Sequence, residues 1–485
     1  MSGPAARFFA WAGLAAGLAV AAGGAPRAEA LGPCPDAGLP AGARCATVSV
    51  PVDRDDPAKG AIALDIVRLP ATEPAGAVEP LFIIAPGPGV PVAGQAAGAA
   101  ERFAAVAQGR DLVLVERRGT GGSRFDCPLY PTVEAMFGDL FPVAVVEMCR
   151  ATAGLDPAHY GLAALVEDLE SARAALGVER MSLWAEGLGA RLALAYARAH
   201  PDRVRAIGLR GPVPIDVNLP LWLASAGQKA FDRLFVRCQR DAACRAGFPD
   251  LKRMLTSTLR ALAEAPATAT ITDPDAGETD VVVTRDAFVT GLQAMTWHPV
   301  SFAEAPSVIA AAASGDFGPA ASVILAMRRG FDGLALGAYL SELCAEDGPA
   351  LVGVDPAQAT RLTYVGDAWA SAYQQACAAW PVPALAEDLA APVESDTPTL
   401  VLSGEFDAGA PPDLGEHALA TLAHGTHVVF KGPVQGTPEA EACVDAILAA
   451  FYDAGTADGL DATCAASVPV PGFVVPEPAE ESAEP

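Results

Sequence analysis

With 485 residues, of which 52% are hydrophobic, the chain is long enough to bury a large core and too long for one small domain. A formal net charge of −26 argues against nucleic acid and anionic membrane surfaces as partners and otherwise reads as a source of solubility. Among the 10 cysteines there is no Cys-x-x-Cys, and no histidine pair has ligand spacing, which argues against a zinc site.

Residues 1–30 read as a secretory signal: Arg7 is the sole early charge, an apolar run follows over 8–22, and Ala28-Glu29-Ala30 fits a small-x-small cleavage site. That run is short for a membrane span, and no later segment is long and apolar enough to cross a bilayer. The mature chain is therefore expected to be exported, periplasmic or extracellular, and without a membrane span. Export favours disulfides, and adjacency in sequence suggests the pairs Cys34/Cys45, Cys127/Cys149, Cys238/Cys244, Cys344/Cys377 and Cys443/Cys464.

Residues 45–53 alternate apolar and polar side chains and, after a turn at Asp55-Asp56-Pro57, pair with 61–69 as an opening hairpin. The continuous apolar runs 81–85 and 111–115 predict strands buried on both faces. A helix is predicted over 162–176, a strand over 181–184, a helix over 190–199 and a strand over 204–209. Strands alternating with helices give a mostly parallel sheet. After Pro214 the pattern turns mainly helical, with one strand pair near 269–271 and 281–283. Strands resume at 399–402 and 426–430, and a helix follows over 439–452. The expected organisation is a core in two parts (31–214 and 396–465), a helical cap insertion (215–395), and a disordered tail rich in Pro and Glu (466–485).

The most informative stretch is Trp184-Ala185-Glu186-Gly187-Leu188-Gly189, which joins a short strand to a helix through a sharp turn. This setting resembles the nucleophile elbow of the α/β-hydrolases, Gly-x-Ser-x-Gly, with Gly187 in the place of the serine. Glycine adopts the strained elbow conformation without the cost a Cβ brings, so the substitution keeps the turn and removes the nucleophile.

Several further motifs, in order, resemble the proline-iminopeptidase and TAP-like branch of the α/β-hydrolases. Pro86-Gly87-Pro88-Gly89 is similar to its oxyanion turn, and Glu116-x-Arg118-Gly119-Thr120-Gly121-x-Ser123 to its Asp-x-Arg-Gly-x-Gly-x-Ser motif. Cys344-Ala345-Glu346-Asp347 and Cys377-x-x-Trp380-Pro381 resemble cap segments, and Leu402-Ser403-Gly404-Glu405-Phe406-Asp407 the segment that carries the triad acid. The resemblance implies an α/β-hydrolase fold with a helical cap, an oxyanion turn at Gly87 and Leu188, and Asp407 as the retained acid. It puts Gln435, in Pro433-Val434-Gln435-Gly436, where the histidine should stand.

A triad needs a nucleophile, a histidine base and an orienting acid. Two of the three are missing, and His159, His200, His298, His417, His424 and His427 all fall where structural or surface roles are expected. Glu186 is a candidate to touch a ligand, and it either opposes negative charge at the oxyanion turn or is a solvated carboxylate at a helix N-terminus. Glu346 and Asp347 are candidates to meet a ligand's α-ammonium group, or else supports of the Cys344 segment. The expected function is an inactive hydrolase-fold protein binding a peptide, a small ligand or a protein partner. One alternative is an active hydrolase with a rearranged site, using Asp407 or Glu186 as base, or Ser403 or Ser123 as a displaced nucleophile without an apparent histidine. The other is a structural partner in an exported or membrane-bound complex. No motif requires a cofactor.

Overall fold

A computed structural model of the chain describes residues 31–475 apart from 36–37, 75–77, 275–276 and 410. The expected signal segment (1–30) and residues 476–485 of the expected tail lie outside the described residues.

Among the described residues the central sheet has nine strands: β1 (Gly32–Pro33), β2 (Arg44–Pro51), β3 (Ala61–Leu69), β4 (Leu81–Ile83), β5 (Leu112–Val115), β6 (Met181–Glu186), β7 (Val204–Arg210), β10 (Thr399–Gly404) and β11 (Gly425–Phe430). The other two, β8 (Ala267–Asp273) and β9 (Gly277–Val283), pair as a separate antiparallel hairpin. The spatial order of the large sheet is β1-β2-β3-β5-β4-β6-β7-β10-β11. The first strands pair antiparallel, Val48 opposite Leu64 and Val67 opposite Leu114. From β5 onward every pairing is parallel.

The two-residue side-chain period explains the continuous apolar runs. On β4, Leu81 and Ile83 pack in one core cluster with Leu112 and Leu114 of β5, while Phe82 joins Val113 in the other. Both faces are thus covered, by the helices Leu162–Ala175 and Gly189–Ala199 among the elements of one side and Pro438–Ala454 on the other. All six parallel strands point their carboxyl ends to one edge, where open α/β sheets bind ligands.

Between β7 and β10 the chain is mainly helical. The five cysteine pairs expected from adjacency are all disulfide-bonded, and each ties neighbouring pieces of chain together. Cys34–Cys45 fastens the segment after β1 to β2, and Cys127–Cys149 fastens a loop to the helix Val143–Thr152. Within the insertion, Cys238–Cys244 joins the helices Leu219–Arg240 and Ala242–Gly247, and Cys344–Cys377 joins Leu336–Glu346 to Ala368–Ala379. Cys443–Cys464 holds the helix Pro438–Ala454 to the chain that follows it.

The expectation of a disordered tail from residue 466 is corrected for residues 466–475. Val474 N donates to Ala303 O at 3.1 Å, Phe473 stacks on Phe302, and the Arg237 guanidinium lies 4.6 Å from the Phe473 ring centroid. A composition rich in Pro and Glu conceals two aromatic and aliphatic anchors, Phe473 and Val475, which pack on the main core cluster.

Candidate active site

The elbow follows directly from β6. Gly187 has φ +51°, a left-handed conformation that side chains with a Cβ rarely adopt. Its N–H donates to Arg210 O at 3.1 Å, and its carbonyl accepts from Val213 N at 3.0 Å. One turn on, the helix Gly189–Ala199 presses against the end of β4: Gly189 N donates to Pro86 O at 2.9 Å, and a Cβ at Gly189 would collide with the Ala85 carbonyl. The glycines therefore do what the motif requires of them, one by conformation and the other by close approach.

The turn Pro86-Gly87-Pro88-Gly89 lies beside this elbow, with a Cβ at Gly87 reaching the Leu188 side chain at 3.9 Å. It is anchored from behind by Glu116, whose carboxylate accepts from Val92 N (3.0 Å), Ala93 N (2.8 Å) and Thr120 Oγ1 (2.6 Å). Arg118 of the same motif is buried, with a bidentate bond to Asp168 and further bonds to Val52 O and His159 O. These motif residues position backbone and do not line the cavity that holds Gly187.

A cavity of about 600 Å³ opens above the carboxyl ends of the strands and brings Gly87, Gly187, Leu188, Asp407 and Gln435 onto one wall. Its volume lies within the roughly 300–1,000 Å³ typical of small-molecule sites. Asp407 is buried, and Gln435 Nε2 donates to Asp407 Oδ2 at 3.0 Å. The amide also reaches Trp297 O at 3.4 Å, and Asp407 Oδ1 accepts from Gly409 N at 3.1 Å. Gln435 thus makes the acid-facing bond that an imidazole N–H makes in a triad, and its amide has no basic nitrogen to receive a proton. Opposite it, Gly187 carries no side chain to be deprotonated. The remaining walls are aromatic and aliphatic, Trp369, Tyr373, Leu219 and Leu223 among them.

Glu186 lines the same cavity beside the elbow, and it is not the solvated helix-terminal carboxylate that was one of the two expectations. It sits inside a four-residue charge network with Arg102, Arg210 and Glu441. Arg210 Nη2 contacts Glu186 Oε2 at 2.5 Å, Arg102 bonds the other oxygen, and Trp184 Nε1 donates to that same oxygen at 2.9 Å. Burial pushes the Glu186 carboxyl upward, and Arg102 pulls it back. Glu441 Oε1 accepts from Gly436 N at 3.0 Å, so the network joins the elbow to the loop that carries Gln435. Arg102, Arg210 and Glu441 escaped the sequence reading; the one available signal was the place of Arg210 at the carboxyl end of a strand.

Glu346 and Asp347 are corrected as ligand candidates. Arg191 Nη1 bonds Glu346 Oε2 at 2.6 Å and Asp347 Oδ2 at 2.8 Å, all three side chains are buried, and neither carboxylate lines the cavity. Asp347 Oδ1 also accepts from Leu219 N at 2.8 Å. Ser403 does have a histidine partner, contrary to expectation: His427 Nε2 lies 3.0 Å from its Oγ. That serine is fully buried beneath Gly415, however, and neither group reaches the cavity. Ser123 Oγ donates to Thr120 O and accepts from Gly119 N, a turn hydroxyl. Among the described residues no group of His, Cys, Asp and Glu could hold a metal ion, and no helix is long and apolar enough to cross a membrane.

Comparison with known proteins agrees with this architecture. Residues 97–234 match the family model described as alpha/beta hydrolase fold, and residues 362–464 match that of TAP-like protein. Serine protease Hip1 of Mycobacterium tuberculosis (strain H37Rv) is 30% identical over 238 residues, covering 44% of this chain and 45% of the relative. Proline iminopeptidase of Neisseria gonorrhoeae is 38% identical over 63 residues, 13% of this chain and 20% of that protein. The chain thus spans less than half the length of these curated relatives. Among solved structures, proline iminopeptidase of Mycobacterium smegmatis aligns over 84% of this chain and 98% of its own at 15% identity, with a TM-score of 0.39.

Proposed function

We propose that this chain, which has the α/β-hydrolase fold and carries a TAP-like segment, binds a ligand in the cavity beneath its cap and does not hydrolyse it. The observation that carries this reading is the Gln435 amide bonded to Asp407 opposite a side-chain-free Gly187. Nucleophile and base are lost together, and losing such groups costs on the order of a millionfold in turnover. The binding half of a hydrolase remains: a cavity, an oxyanion turn and a buried acid. Five disulfides support the further reading that the protein works in an oxidising, exported setting.

The test is hydrolysis of a panel of p-nitroanilide aminopeptides and p-nitrophenyl esters by the unmodified protein, Gly187→Ser and Gly187→Ser/Gln435→His. Activity is expected in the double variant alone. Turnover by the unmodified protein would overturn the reading. A Cβ at position 187 meets Pro86 O at 3.3 Å in a left-handed backbone, so the serine variants should lose about 1–3 kcal/mol, which urea unfolding checks separately.

A further inference from the structure

A second cavity, of about 460 Å³, opens in the cap among the helices Arg285–Met295, Pro299–Ala313 and Gly318–Asp332. It adjoins the inner cavity. Trp297, His298, Phe331 and Leu334 line both this cavity and the inner one beside Gly187 and Gln435, so the two chambers share a wall. Trp297 stands at the junction. Its carbonyl lies 3.4 Å from Gln435 Nε2, its ring packs 6.0 Å from that of Trp369, and its own indole Nε1 is buried with no hydrogen-bond partner among the described residues. An indole N–H buried without an acceptor is unusual and needs an explanation. An acceptor supplied by a ligand passing between the chambers is one.

Resting on the ligand-binding reading above, we propose that the two chambers form one site for an elongated, largely apolar ligand of the class of long-chain acyl esters. The chain threads past Phe331 and Leu334, and the ester carbonyl accepts the Trp297 Nε1–H. The walls argue for this chemistry. Met295, Val323 and Met327 line the outer chamber and Trp369 and Leu223 the inner, offering apolar surface along its length. A peptide would bring a backbone donor and acceptor at nearly every residue, each needing a partner that such walls do not supply. A free fatty acid would bring a carboxylate toward Asp407 and Glu304, while Arg210, the cation lining the inner chamber, is already held by Glu186 and Glu441. An uncharged ester avoids both penalties.

The experiment is calorimetric titration of the full chain with 1-monohexanoylglycerol and 1-monomyristoylglycerol below their micellar concentrations. Two variants accompany it. Gly330 lines the outer chamber, and a Cβ there meets nothing within 4 Å, so Gly330→Leu fills space without a clash on a helix that favours leucine over glycine. Trp297→Phe removes the N–H and keeps an aromatic ring. The longer ester should bind at least tenfold more tightly than the shorter. Gly330→Leu should abolish that advantage and leave the shorter ester unaffected, and Trp297→Phe should weaken both several-fold. Unaltered melting temperatures establish that the variants fold. Equal affinity for the two lengths, or indifference of the longer ester to Gly330→Leu, overturns the shared site while leaving the inner cavity standing. Binding of neither ester also overturns it. Release of glycerol by the unmodified protein would instead overturn the non-hydrolytic reading.

Discussion

Glu342 shows how one side chain registers the chemistry of the junction between core and cap. It is 3% exposed, accepts one bond from Arg117 Nη1 at 2.8 Å, and leaves its other oxygen without a partner. Burial lifts its carboxyl from the ordinary 4.5 to about 7; Arg117 and Arg191 pull it down, and Glu346, one helical turn away, pushes it up. Between these two values the folded chain holds a proton that the unfolded chain has released. The stabilisation is therefore complete below about pH 4.5 and is lost as pH rises through 7, at no more than about 1.4 kcal/mol per unit. Glu342→Gln keeps the shape and cannot ionise. Urea unfolding from pH 4.5 to 8 should give the unmodified chain the more downward slope, and the variant should be the more stable of the two at pH 8. Parallel slopes would show that Glu342 is ionised throughout.

Among elements, the helix Gly189–Ala199 does more than support the elbow, because Arg191 on its first turn reaches into the cap and binds both Glu346 and Asp347. Arg191→Ala would leave two buried carboxylates without their cation, and breaking a buried pair from one side costs about 3–5 kcal/mol. A loss of that order is expected in denaturant unfolding, partly recovered when Glu346→Gln and Asp347→Asn are added; a loss below about 1 kcal/mol would mean the acids find other partners. The sequence allowed the strands to be read well, because a strand covered on both faces, such as β4, must be continuously apolar and has no competing pattern. The elbow was legible for a similar reason: its glycines are demanded by local backbone geometry. The disulfides were legible because each closes a short stretch of chain, Cys238 and Cys244 lying only 6 positions apart. Arg191 and Asp347 are 156 positions apart and Arg210 and Glu441 are 231, and no local pattern encodes a pairing at such separation. That is why Glu346 and Asp347 looked available to a ligand, and why the network around Glu186 was invisible. Trp297 and His298 read only as members of a helical insertion, since their role depends on where several helices leave space.

At the scale of the whole molecule the chain carries 58 acidic against 32 basic residues. Burial leaves that excess undiminished, because the buried acids Glu116, Asp168, Asp273, Glu342, Asp347, Asp407 and Asp445 are matched in number by the buried arginines Arg110, Arg117, Arg118, Arg173, Arg191, Arg210 and Arg328. Several of them are occupied by internal carboxylates, and Arg328 by Tyr130 and Gly138 O. The folded surface is therefore a concentrated negative shell, whose self-repulsion opposes compactness. Salt should relieve it. The screening length falls from about 30 Å at 0.01 M to about 8 Å at 0.15 M, while buried pairs such as Arg118–Asp168 are screened far less. Relief of about 1 kcal/mol would raise the melting temperature of a chain this size by only about 1 °C, because the unfolding entropy grows with chain length. Thermal unfolding at neutral pH, without reductant, should show most of that rise below 0.15 M sodium chloride and a plateau above it. A melting temperature that falls with salt would mean exposed ion pairs such as Lys229–Asp413 and Lys431–Glu405 outweigh the repulsion. A rise that continues linearly to 1 M would point to exclusion of salt from the surface rather than to screening.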